Sequence, residues 1–273
     1  MRTFLLRLPI LGLRCSPYPS TAALLVPTSA RSQRKFLTLY DAAVVKSMHF
    51  VHLVSAAAAL LLPAATHAAQ DFSQAERMLF MTNQLAKLKP PLTLNYSYTK
   101  AGSLEEGFSD KVSIALRAQA SGKCCTANAE FLSGARRLSL PEVEAADGNP
   151  VILYFLERDI REMSRLTKGQ SNYFRKRIRL AVYERAQIAD ASMSFRSKPV
   201  AVRTIAISPY LEDPLRARFE NLATKQYVFT LSDAVPGGVY SIRTWVTAPG
   251  AGAVPLLDEE MILDGASPAP RNP

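Results

Sequence analysis

The chain has 273 residues, with 33 Lys and Arg against 23 Asp and Glu, three histidines and three cysteines. An apolar content of 48% with 21% charged residues excludes a disordered or fibrous chain and allows a sizeable core. The basic excess is uneven: residues 1–68 hold seven basic residues and one acid (Asp41), residues 69–273 hold 26 and 22, so the pI near 9.6 is a poor indicator of a nucleic-acid partner.

The N-terminal stretch has the composition of a leader. Lys46 precedes Met48, an apolar run follows over 51–65, and Thr66 and Ala68 supply small residues. This order of basic, apolar and small predicts a secretory signal over 48–68, cleaved after Ala68. The run is short for a span of about 20 residues, and Pro63 interrupts it, which argues against a retained anchor. Residues 1–47 are rich in Arg and Ser with no acid before Asp41. They read either as part of a bipartite organelle presequence or as a stretch ahead of the true start at Met48. The second is preferred, because Met48 alone opens a complete signal. Cys15 follows Arg14, not a small residue, and so does not look like a lipoprotein acylation site. The expected product is a soluble, exported periplasmic protein with no stable transmembrane anchor.

Residues 69–264 read as a single α+β domain. Ser73-Gln74-Ala75-Glu76 has capping-box spacing, and Met78, Met81, Leu85 and Leu88 then recur at helical intervals, up to a stop at Lys89-Pro90-Pro91. Leu92, Leu94, Tyr96 and Tyr98 alternate with polar residues, as do Val112, Ile114 and Leu116, which predicts a hairpin across a Gly-bounded loop over 101–107. A third strand is expected over 124–132. Asn149-Pro150 opens a helix as N-cap and first turn, with Ile152, Phe155, Leu156, Ile160 and Met163 as its apolar stripe and Gly169 placed to end it. Residues 173–184 fit a helix or a strand, and their length and long charged side chains favour helix. Strands are expected over 191–195 and 200–207, flanking Arg196-Ser197-Lys198-Pro199. Others are expected around Tyr227, Phe229 and Leu231, over 239–246 after the Pro236-Gly237-Gly238 turn, and over 256–263. The Pro-rich segment 265–273 is expected to be disordered. Strands, then helices, then strands again predict one curved antiparallel sheet, half-barrel-like, with helices packed on one face.

The chemistry open to this chain is narrow. His49, His52 and His67 all precede the cleavage point. The exported chain therefore lacks histidine for Ser-His-Asp or Cys-His nucleophile systems and for His-ligated zinc. No metal or cofactor is expected, and no catalytic motif stands out. Ser97-Tyr98-Thr99-Lys100 matches S-x-x-K, but it lies on a strand without the companion motifs of penicillin-recognising enzymes, and reads as chance. Cys124 and Cys125 are adjacent on a strand and so point to opposite faces. The preferred reading is one buried and one surface thiol, with intermolecular pairing or a redox role as alternatives. Glu157, Asp159 and Glu162 read as a solvated, salt-bridged face through the Glu157–Arg161, Arg158–Glu162 and Glu162–Arg165 spacings. A carboxylate pair for glycoside hydrolysis stays open. Arg158, Arg161 and Arg165, with Arg175, Lys176, Arg177 and Arg179, could form one basic patch for an anionic head group or a protein partner, or a plain solvated face.

The segment Gln226-Tyr227-Val228-Phe229-Thr230-Leu231-Ser232-Asp233, followed by Val235-Pro236-Gly237-Gly238-Val239, is similar to exported bacterial proteins thought to share the half-barrel of the periplasmic lipoprotein-carrier fold. The resemblance implies a concave apolar face able to hold an acyl chain, with Leu94, Tyr96, Tyr98, Ile114 and Phe229 as its lining. The same residues would equally serve as ordinary core. The expected function is therefore non-enzymatic binding of a lipid or other amphiphile in the cell envelope. The alternative is a structural or assembly partner of an envelope complex.

Overall fold

A computed structural model describes residues 72–119, 124–143, 148–250 and 253–269. The predicted signal and leader lie outside the described residues. Those described form an α+β unit in which eight strands make one antiparallel sheet, in the order β3-β2-β1-β8-β7-β6-β5-β4. The strands are β1 (Leu92–Ala101), β2 (Phe108–Ala118), β3 (Cys124–Phe131), β4 (Gln187–Phe195), β5 (Lys198–Ile207), β6 (Gln226–Leu231), β7 (Val239–Val246) and β8 (Leu257–Leu263). The sheet is open, with β3 and β4 as its edges. Two long helices, α2 (Pro150–Thr167) and α3 (Ser171–Arg185), are inserted between β3 and β4. No helix among the described residues is long and apolar enough to cross a membrane.

The sheet places the C-terminal strand at its centre. β8 pairs with β1 on one side and β7 on the other, so the first hairpin is joined to the β4–β7 meander only through the last strand. β1 shows why alternation is legible: Leu94, Tyr96 and Tyr98 are buried, and the residues between them face outward or are part-buried. The β4–β5 hairpin is tighter than expected. Arg196 and Ser197 alone form the turn, both at positive φ, the two-residue geometry whose twist suits flanking strands.

The helices depart from the sequence reading at their ends. The capping box on α1 (Gln74–Glu76) is present, with Ser73 and Glu76 exchanging side-chain hydrogen bonds with each other's backbone N–H. The helix then widens into a π-helical stretch, Arg77–Met81, and stops, well short of the expected Lys89-Pro90-Pro91. The Thr82 hydroxyl and backbone N–H both donate to the Arg77 carbonyl, and Gln84 Nε2 donates to the Met78 carbonyl. These bonds satisfy carbonyls that a further helical turn would otherwise use. Leu85 and Leu88 therefore reach the core from a turn. At the end of α2 the left-handed residue is Lys168, not Gly169. Gly169 is required for space, since a Cβ there would lie 2.7 Å from the Phe174 ring. Residues 171–185 are helical, which resolves the helix-or-strand ambiguity.

Asn149 fixes the start of α2. Its side chain accepts from the Val151 N–H and donates to the Gly237 carbonyl at 2.6 Å and to the Gln84 side chain. The β6–β7 turn, with Gly237 at φ +75°, is thereby tied to the helix. Part of the segment expected to be disordered is ordered: Ala266 bridges Phe195, and the Ser267 N–H donates to the Ser194 carbonyl. Cys124 and Cys125 are joined in a disulfide, which replaces the two free thiols expected from the sequence.

Candidate functional site

One row of residues runs across the middle of the sheet. Ile207 pairs with Tyr227, Tyr227 with Thr244, Thr244 with Glu259, Glu259 with Lys100, and Lys100 with Phe108. Directly paired residues share a face, so this apolar-phase row contains Thr244, Glu259 and Lys100. All three are buried. α2 supplies matching charges from above. Asp159 accepts from Lys225 Nζ at 2.5 Å and from the Tyr227 hydroxyl at 2.7 Å, and Lys225 and Asp159 are both fully enclosed. Arg158 donates to Glu259 Oε2 at 2.7 Å and lies over the Tyr98 ring at 5.2 Å. Lys100 Nζ is 2.6 Å from Glu105, 3.1 Å from Glu162 and 3.8 Å from Glu259.

The electrostatics follow from this pairing. Burial would raise the Glu259 carboxyl, but the charges of Arg158 and Lys225 hold it below the usual carboxylate range. Glu162 is also pushed up by burial, yet the Arg165 hydrogen bond and the Arg158 and Lys100 charges hold it far below that range. Glu105 is lowered as well: burial is outweighed by the bonds from Lys100 and Arg165. Burial raises the Tyr98 hydroxyl well above its ordinary value, and Glu259 adds to this. Tyr98 Oη and Glu259 Oε1 make no hydrogen bond among the described residues.

Where this layer reaches the surface, a cavity of about 530 Å³ opens between the β1–β2 turn, the segment after β3 and α2. Its cations are Lys100, Arg136, Arg158, Arg161 and Arg165, its acids Glu105, Glu106 and Glu162, and its apolar walls Phe108, Leu132 and Leu138. Arg136 lies over the Phe108 ring at 4.4 Å.

The structure divides the basic residues singled out in the sequence. Arg158, Arg161 and Arg165 line the cavity; Arg175, Lys176, Arg177 and Arg179 do not. Six of the seven are matched with carboxylates: Arg158 with Glu259, Arg161 and Arg175 with Glu157, Arg165 with Glu105 and Glu162, Arg177 with Asp213, and Arg179 with Glu76. Lys176 is exposed and in no ion pair among the described residues. The expected Arg158–Glu162 helix pair does not form, because Arg158 turns inward to Glu259.

Leu94, Tyr96, Tyr98, Ile114 and Phe229 all belong to the packed core, each at most 2% exposed. None of them lines the cavity. Tyr96 Oη donates to the Val239 carbonyl, and Phe229 stacks on Tyr227. The residues that the sequence assigns to an acyl chain are packed into the protein's own core. Lys100, Glu105, Phe108, Arg136 and Glu259 were not singled out from the sequence. For Lys100 and Glu259 a signal existed: each continues the buried phase of its strand.

Glu105 and Glu162 both pair with Lys100 and Arg165, and they are the acids of the cavity to weigh as a glycosidase pair. Both are held ionised by those cations, so neither supplies the raised-pKa acid that protonates a leaving group. No family model matches the chain, and no curated protein is similar to it. No group of three His, Cys, Asp or Glu side chains among the described residues could hold a metal ion.

Proposed function

We propose that this chain is an exported, non-enzymatic binding protein of the cell envelope that holds an amphiphile with an anionic head group. One observation carries this reading. The cavity combines five basic side chains with a wall of Phe108, Leu132 and Leu138, and its volume lies in the range of small-molecule sites. The ligand site is accordingly the cavity beside α2, not the apolar sheet face. The basic, apolar and small order over 46–68 supports export to the periplasm. The open antiparallel sheet, with α2 and α3 over the face that carries Tyr227 and Glu259, supports kinship with the half-barrel carriers.

The test is native mass spectrometry of the protein purified from a Gram-negative periplasm, with organic extraction alongside. The expected result is a chain beginning at Ala69 that carries a stoichiometric small-molecule adduct, released on denaturation. A clean apo mass, together with no uptake of added anionic amphiphiles, would overturn the reading.

A second reading, an assembly partner, is favoured by β4. The β3 edge is closed by bridges from Val143 and Leu138, whereas Ala189, Asp190, Ala191 and Ser192 of β4 are exposed. Such an edge can accept a strand from another chain. A photo-crosslinker at Ala191 that captures one discrete envelope protein would support it; no adduct would count against it.

A further inference from the structure

The two ends of the sheet carry different surfaces. The β1–β2, β5–β6 and β7–β8 connections leave from one end of the antiparallel strands, and the β4–β5 and β6–β7 turns from the other. Seven large apolar side chains are exposed among the described residues. Leu104, Leu211, Leu215 and Val254 stand in the first three connections, 41–67% exposed. Phe72, Met81 and Tyr183 lie in or beside the helical segments, and none lies in the turns of the opposite end. The β1–β2 and β7–β8 connections run side by side: the Ser103 and Leu104 N–H groups donate to the Pro255 and Leu256 carbonyls at 3.0 and 2.9 Å. The β7–β8 connection takes ten residues, 247–256, where an antiparallel pair needs only two. Its described residues after Thr247 carry no polar side chain, against the usual polar chemistry of such loops. The β5–β6 connection adds charge. Arg216 and Arg218, just past Leu215, are exposed and in no ion pair among the described residues. In the same segment Glu212 is matched with Arg185 and the buried Asp213 with Arg177. Glu106 and Glu220 are exposed acids of this end, also in no ion pair among the described residues.

We infer that this end of the sheet docks on the surface of an anionic lipid bilayer. Leu104 and Val254 enter the boundary between head groups and acyl chains, Leu211 and Leu215 flank them, and Arg216 and Arg218 meet the lipid phosphates. Lipid suits these residues better than a protein partner does. The centre of a protein interface is rich in Tyr, Trp, Phe and Met, whereas these tips are aliphatic and stand on three separate connections. Glu105 and Glu106 of the β1–β2 turn also line the cavity, so the same contact brings the cavity wall close to the membrane, where an amphiphile is exchanged. The docking itself does not depend on what the cavity holds.

The experiment is co-sedimentation of the protein, purified as for the mass measurement, with vesicles of phosphatidylethanolamine and phosphatidylglycerol. Vesicles of phosphatidylcholine alone serve as the neutral comparison. Trp245, the chain's only tryptophan, is half-buried at the end of β7 beside the apolar connection. Lipids brominated near the head-group end of the acyl chain therefore report contact with this end by quenching its fluorescence. The anionic vesicles are expected to bind the protein and quench Trp245. Phosphatidylcholine should bind roughly twentyfold more weakly, the combined pull of two arginines near an anionic surface. Leu104→Ser combined with Val254→Ser should weaken both by roughly tenfold. Arg216→Gln combined with Arg218→Gln should remove the preference for anionic lipid. Met81→Ser, exposed elsewhere, should change nothing. All these positions are exposed, so folding is not at stake, and Trp245 emission without vesicles checks it. No sedimentation with the anionic vesicles, or sedimentation without quenching, would overturn the docking. So would an equal loss in Met81→Ser and in the Leu104 and Val254 variant, the mark of general stickiness. Equal binding to both vesicle types would overturn the anionic bilayer as the partner. Each of these outcomes leaves the amphiphile reading to its own test, the bound adduct.

Discussion

α2 and α3 carry similar basic runs, yet α2 seals Arg158 in the core while most of the basic side chains of α3 meet water. α2 lies across the polar row of the sheet, and there Arg158 and Asp159 are 8% and 0% exposed. Their partners Glu259 and Lys225 are fully buried. α3 turns Arg175, Lys176, Arg179 and Arg185 toward solvent or the rim, where Glu157 and Glu212 are also wet, although Arg179 reaches the buried Glu76 and Arg177 the buried Asp213. The same side chains thus face different physics. A pair in water contributes little beyond its own geometry. A pair sealed in the core has lost its hydration, so each charge depends on its partner. Composition counts both sets alike; only the helix face separates them.

The contrast breaks most sharply at Lys225. Lys225→Met leaves Asp159 enclosed with the Tyr227 hydroxyl as its remaining hydrogen-bond donor, and the expected loss is about 3–5 kcal/mol, read from urea unfolding. A loss under about 1 kcal/mol would mean that water reaches Asp159, and the inner layer would then be no different from the outer one. Arg158→Met comes next. Glu259 still faces Lys100 at 3.8 Å, so the loss should be smaller, about 2–3 kcal/mol, by the same measurement.

The phase of the strands explains what could be read without a structure. Leu94, Tyr96 and Tyr98 announce a buried face, and Lys100 is the next residue in that phase. Leu257, Met261 and Leu263 do the same around Glu259, and Phe155 and Met163 around Asp159 on α2. A charge standing in an apolar phase is a buried charge in need of a partner, so half of the inner layer was legible. The partners were not. Glu259 meets Lys100 only because β8 inserts beside β1, and strand order is invisible to local periodicity. The cavity was hidden for a similar reason: Arg136 and Leu138 lie in an irregular segment after β3, which has no period to read. The opposite error came from reading Asp159 as part of a solvated face, where it is fully buried against Lys225 and Tyr227, and Glu162 as a solvated partner of Arg165. The pair exists, but Lys100 pulls the same carboxylate inward.

Glu162 sharpens the comparison because it belongs to both worlds. Its carboxyl lies well below its ordinary 4.5 in the folded protein. A group lowered on folding stabilises above its unfolded value, and that stability fades as pH falls through and beneath it. The difference in unfolding free energy between the unaltered protein and Glu162→Gln should therefore be about 1–2 kcal/mol at pH 6 and shrink as pH falls from about 4.5 toward 3. A difference that stays constant across this window would mean that Glu162 acts through packing, not charge.

The smallest expected effect lies on α3, and salt makes it informative. Arg179 sits 4.0 Å from Glu76 with nearly half of its side chain exposed, and Lys176 is unpaired among the described residues. Lys176→Ala and Arg179→Ala should each change stability by no more than about 0.5 kcal/mol. Raising ionic strength to about 1 M shortens the screening length to about 3 Å, so whatever Arg179→Ala costs at low salt should vanish. Salt cannot enter the Asp159–Lys225 contact, and the cost of Lys225→Met should stay as it was. Two arginine- or lysine-bearing helices, one salt-sensitive and one not, would locate the boundary between solvated charge and core charge in the gap between α3 and the sheet. If both responded to salt alike, water would reach the row beneath α2, and the cavity would extend further under that helix than its lining residues indicate.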